Sequence, residues 1–84
     1  MAMYNIRLNL EWDDASQTYS VTSPDVPELF TCGSTLAEIQ QNVQEAIELL
    51  LEALDERREA RPVVLQTPVD RPIMELTLPI GVSA

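Results

Sequence analysis

The hydrophobic period of this chain changes once, at Gly33-Ser34-Thr35, and that change dictates the fold class. Before it, apolar residues recur at every second position. Tyr4, Ile6, Leu8, Leu10 and Trp12 alternate with Asn5, Arg7, Asn9 and Glu11. A period of two puts the first set on one face of a half-buried strand. The polar run Asp13-Asp14-Ala15-Ser16-Gln17 reads as a turn, and Thr18-Tyr19-Ser20-Val21-Thr22 alternates again, so the pair is expected to be an antiparallel hairpin. Pro24 and Pro27 end the second strand, because neither donates to a ladder. Leu29-Phe30-Thr31-Cys32 reads as a short third strand that buries Phe30 or a neighbour and is closed by Gly33.

After the switch, Leu36, Ile39, Val43, Ala46, Ile47, Leu50 and Leu54 recur at spacings of three and four, the stripe of an amphipathic helix. Thr35 and Glu38 match a capping box. The helix is expected from Leu36 to about Arg58, with Pro62 as its stop. Arg57, Arg58 and Arg61 sit near its C-terminal end, where the helix dipole favours cations. In the proline-rich tail, 62–84, Met74, Leu76, Leu78 and Ile80 alternate with Glu75 and Thr77, so a final strand is expected from Ile73 to Val82. Pro79 confines that strand to an edge or an end. The sum is one α+β domain over 1–84, in the order β-β-β-α-β, with one long helix on one face of an antiparallel sheet.

Residue types that are absent limit the chemistry. The 84 residues include one cysteine, no histidine and no lysine. An intramolecular disulfide, a structural zinc, a histidine-based triad, a Schiff-base lysine and a P-loop are all excluded. Cys32 has no neighbouring base to make it a nucleophile and is expected as a buried strand thiol. Glu11, Asp13, Asp14 and Asp25 group around the first hairpin, and converging carboxylates are what a metal-dependent nuclease requires. Asp in a turn bonds its own backbone, so structural roles are the preferred reading. No catalytic residue, metal or cofactor is expected.

A net charge of −9 repels phosphate backbones and steers a basic protein partner inward. Glu11, Asp13, Asp14, Asp25 and Glu28 are the candidate contacts for such a partner, expected together at one end of the fold. A domain this short buries only roughly 60–65% of its unfolded surface, so a second copy is the expected aid to stability, a dimer first. Leu49 and Leu51 lie off the main helical stripe, and they join Met74, Leu76 and Leu78 as candidate interface residues. No leader pattern and no apolar run of ~20 residues is present; with a lone thiol, a cytoplasmic protein without membrane contact is expected.

The order of these pieces resembles the HicB-like antitoxin domain of bacterial toxin–antitoxin systems. The matching segments are Leu10-Glu11-Trp12-Asp13-Asp14, Tyr19-Ser20-Val21, Pro24-Asp25-Val26-Pro27, Gly33-Ser34-Thr35, and Asn42 to Ala46, covering about 4–54. The resemblance implies a degenerate RNase H-like fold without nuclease chemistry. It also implies self-association and the neutralisation of a small basic RNA-cleaving toxin. Three departures are visible. Glu28 stands where the family has glycine, no ribbon-helix-helix or helix-turn-helix pattern follows the helix, and the tail is similar to that of short stand-alone relatives. Operator binding is therefore not expected. The alternatives are an orphan domain serving self-association or ligand sensing, and a metal-dependent nuclease.

Overall fold

The computed structural model describes residues 2–83. Strands β1 (Asn9–Asp13), β2 (Thr18–Thr22) and β3 (Phe30–Gly33) form an antiparallel sheet in the order β1-β2-β3. Helix α1 (Leu36–Glu56) follows, and then a single 3-10 turn at Val63–Leu65. The architecture is α+β, with one helix packed on a three-stranded sheet.

The hairpin register pairs Leu10 with Val21 and Trp12 with Tyr19; Val21 in turn faces Thr31, and Tyr19 faces Gly33. Paired residues share a face. Val21 is fully buried, so this is the face under the helix. Trp12 and Tyr19 meet edge to face, with ring centroids 5.0 Å apart. The other face carries Asn9, Glu11, Asp13, Thr18, Ser20, Thr22, Phe30 and Cys32. Phe30 is 72% exposed there and Cys32 is an exposed thiol, so neither is the buried residue that β3 was expected to supply. The strand parity explains the difference. Leu29, Thr31 and Gly33 fall on the helix side, and Leu29 is the side chain that buries.

Only the last four residues of the long alternating run, 9–12, enter the ladder, with Asp13 completing the strand. Their partner β2 ends at Thr22, so residues 4–8 have no strand to pair with. The alternation still governs their packing: Tyr4, Ile6 and Leu8 lie against the core cluster of Val26, Leu29, Ile47 and Leu65. The expected final strand, Ile73–Val82, does not join the sheet; the segment has no regular secondary structure. Its alternation has no neighbouring strand of the same chain to satisfy.

Thr35 caps α1 as expected, accepting from the Glu38 N–H at 3.1 Å, and Glu38 reaches back to the Ser34 N–H at 3.2 Å. The helix ends within two residues of the expected Arg58, but Pro62 is not what stops it. The helix stops at Glu56, well before Pro62, because Arg58 adopts a left-handed φ of 55°. Arg58 and Glu59 then donate to the carbonyls of Asp55 and Leu54, at 3.2 and 2.9 Å, which closes the last turn. α1 lies chiefly over β3, and Asn42 ties the two by donating to the Cys32 carbonyl at 2.8 Å. β1 is thus an edge strand beyond the helix, with Leu10 and Trp12 only half covered.

Candidate partner-binding surface

The acidic residues around the first hairpin occupy two ends of the sheet, not one. Asp13 and Asp14 lie at the β1–β2 turn, whereas Asp25 and Glu28 lie in the corner beyond the far end of β2. The five residues of β2 separate them by roughly 16 Å at strand rise. Glu11 stands on the open face, opposite Ser20.

Local bonding accounts for most of these groups. Asp13 accepts from the Ala15 N–H at 3.0 Å and the Ser16 hydroxyl at 2.9 Å. Asp14 accepts from the Trp12 indole at 2.8 Å. Gln17, at φ 56°, completes the turn and donates to the Asp14 carbonyl. Asp13 is thus the self-bonded turn acid that the sequence pattern predicts, whereas the Asp14 carboxylate is held by the Trp12 side chain.

Asp25 is held by Arg7. The guanidinium donates to the carboxylate at 2.7 and 3.1 Å, and the Arg7 backbone N–H adds a bond of 2.9 Å. The carboxylate thus stands in for the strand carbonyl that residue 7 lacks. The side-chain bond from Arg7, joined by the backbone bond, holds the Asp25 carboxyl below its usual range. Ser23, not Asp25, closes the corner, its hydroxyl accepting from the Asp25 and Val26 N–H groups at 3.1 and 3.3 Å. The turn Val26-Pro27-Glu28-Leu29 is sealed by the Leu29 N–H on the Val26 carbonyl at 3.0 Å. Glu28 does not adopt a positive φ, so a side chain in the family's glycine position introduces no strain.

The pair has a pH consequence. A carboxyl held below its unfolded value stabilises the fold above the unfolded pKa, ~3.9, and that contribution disappears as pH falls through the folded pKa. Asp55 behaves alike, depressed chiefly by its side-chain bond to Arg61. Thermal stability is therefore expected to drop on acidification below about pH 5. Asp25→Asn should flatten that acid limb in part, with Asp55 keeping the rest. Melting curves from neutral pH downward test this, and an unchanged limb in the variant excludes the Arg7–Asp25 pair as its source.

The larger acidic surface is on the helix. Glu38, Glu45, Glu48, Glu52 and Glu56 line the side of α1 opposite the buried Ile39, Ile47 and Leu54. All five are exposed, and among the described residues none joins an ion pair. Their neighbours are neutral amides: Gln41 donates to Glu45 at 3.0 Å, and Gln44 to Glu48 at 3.2 Å. The same helical spacing that marks the core also marks this stripe, so it is readable in the sequence from the far side of the wheel. Of the two off-stripe leucines, Leu51 packs on the core and Leu49 is 68% exposed.

Residues 4–75 match the family described as the HicB-like antitoxin of bacterial toxin–antitoxin systems. The chain belongs to that family. A UPF0150 protein of Thermotoga maritima is 42% identical to this HicB-like chain over 43 residues, which is 51% of the chain and 57% of the relative. The aligned part thus spans little more than half of that relative's length. No solved structure matches the chain significantly. No helix among the described residues is long and apolar enough to cross a membrane.

Proposed function

We propose that this HicB-like chain is a non-catalytic antitoxin, working in the cytoplasm, that binds a small basic RNA-cleaving protein and covers its RNA-binding surface. The observation that carries the reading is the family match across 4–75. The exposed carboxylate stripe on α1 supplies a physical means. Five unpaired negative charges on one helix face imitate a run of phosphates, so a toxin built to hold RNA meets a competitor with the same sign. The mechanism is occlusion and needs no bond-making group. In this reading the sheet and helix are a degenerate RNase H-like scaffold without its chemistry. The nuclease alternative requires carboxylates gathered at one place, whereas Asp13 and Asp25 lie at opposite ends of β2 and Asp25 is occupied by Arg7.

The experiment is co-purification with a small basic protein encoded beside it, followed by binding and RNA-cleavage assays across a salt series. A complex that blocks cleavage and weakens with salt is expected. Replacing Glu45, Glu48 and Glu52 together by Arg should weaken it at least about tenfold, mainly through slower association. A complex indifferent to both salt and this substitution rules out the stripe. If Glu28→Arg alone abolishes binding, the contact lies at the corner instead.

A further inference from the structure

We infer that the tail beyond Pro72 and the groove beside it form the contact between two copies of this chain, each copy laying its tail in the other's groove. The groove lies between the N-terminal segment and the tail. Ile6, Leu8 and Leu10 line one side, and Ile73, Met74 and Leu76 line the other. The first turn of α1 also borders it, through Leu36 and Ile39.

The chain directions select the occupant. The Val69 N–H donates to the Met3 carbonyl at 2.8 Å, and the Ile73 N–H donates to the Asn5 side chain at 3.0 Å. The contacts advance together along both segments, so tail and N-terminal segment run in the same sense with the groove between them. A strand antiparallel to both fills such a space. The tail of a two-fold-related copy has that direction. The order across the axis becomes N-terminal segment, partner tail, tail, partner N-terminal segment. Every member is then antiparallel to its neighbour, and the contact is isologous and closed.

Three observations favour a second copy over other partners. The first is pattern: the tail has a strand's alternation, without a strand partner in its own chain, and β1 has a free outer edge. The second is area. The five apolar side chains from Ile73 to Ile80 are between 59% and 72% exposed. Two such tails with their receiving walls supply exposed apolar surface for an interface, for which the standard size is ~800 Å² per partner. The third is charge. Of the chain's acidic residues only Glu75 lines the groove, accompanied by Arg7. Two chains of charge −9 repel over most of their surfaces and can meet here with least cost. A basic partner gains nothing at this site and is drawn to α1. Pro72 and Pro79 bracket the run, so the added ladder is confined to 73–78.

Sedimentation of the full chain at micromolar concentration is expected to give twice the 9.4 kDa chain mass. Leu76→Glu with Leu78→Glu should halve that mass. Both side chains are exposed in the protomer, so its helix content by circular dichroism should not change. In a Cys32→Ser background, single cysteines placed at 74 to 77 are expected to form interchain disulfides rapidly near the axis, and one placed at Leu49 slowly. A monomeric wild type overturns the inference. So does a dimer that survives the double substitution, or one that crosslinks only through position 49. No second protein enters the test, so it stands or falls apart from the antitoxin reading.

Discussion

Leu65→Ala is expected to lower the free energy of unfolding by about 3 kcal/mol, near the middle of the range for buried leucine truncations. Leu65 lies in the 3-10 turn beyond the helix, yet it is fully buried and packs with Val26, Leu29 and Ile47. That cluster joins the two-proline corner, the middle of α1 and the chain after the helix, so its loss loosens three segments at once. Only seven hydrophobic side chains of the described residues are buried, and few remain to close around a cavity. Against the ~5–15 kcal/mol that holds a domain together, such a loss is a large fraction. Val63→Ala in the same turn is the control: Val63 is 82% exposed, and its truncation should change stability by no more than about 0.5 kcal/mol. Urea unfolding of the two variants decides the matter. Equal midpoints would mean that the turn is not part of the cooperative fold.

Leu65 also shows where sequence reasoning stops. Periodicity finds residues whose element repeats, and so the helical stripe, the hairpin and the capping box at Thr35 and Glu38 are all legible. A three-residue turn has no period, and Val63-Val64-Leu65 offers nothing to say which of the three is buried. The same limit applies to the helix end. Pro62 is a plain stop signal, but the helix had already ended through a left-handed arginine, a conformation with no strong signature in a non-glycine residue. The acids around the hairpin were legible as turn formers at Asp13 and Asp14. Their separation from Asp25 follows from the direction of β2 and is invisible to residue counting alone. The tail is the reverse case. Its alternation is strong in the sequence, and the described residues of the chain supply no strand to use it.

Gly33→Val is expected to cost about 3 kcal/mol, at the upper end of the usual overpacking range, through steric overlap rather than lost backbone freedom. Gly33 ends β3 with no positive φ, so the backbone itself tolerates a side chain. The space does not. A Cβ there would stand 2.7 Å from Ile39 Cγ1, 3.0 Å from the Ile39 backbone nitrogen and 3.2 Å from its Cα. The Ile39 methylene can rotate away, but its backbone moves only with the helix. Ile39 is 1% exposed, and one turn further on Asn42 is bonded to the Cys32 carbonyl, so a shift of α1 strains that bond too. Gly33 therefore acts less as a strand breaker than as the gap that lets the first turns of α1 rest on the sheet. Gly33→Ala should show a smaller loss of the same origin. Gly81→Val is the contrast, since a Cβ there meets nothing within 4 Å, and its effect should stay within about 0.5 kcal/mol. Unfolding midpoints that fail to separate positions 33 and 81 would remove the close approach of strand and helix as a determinant of this fold.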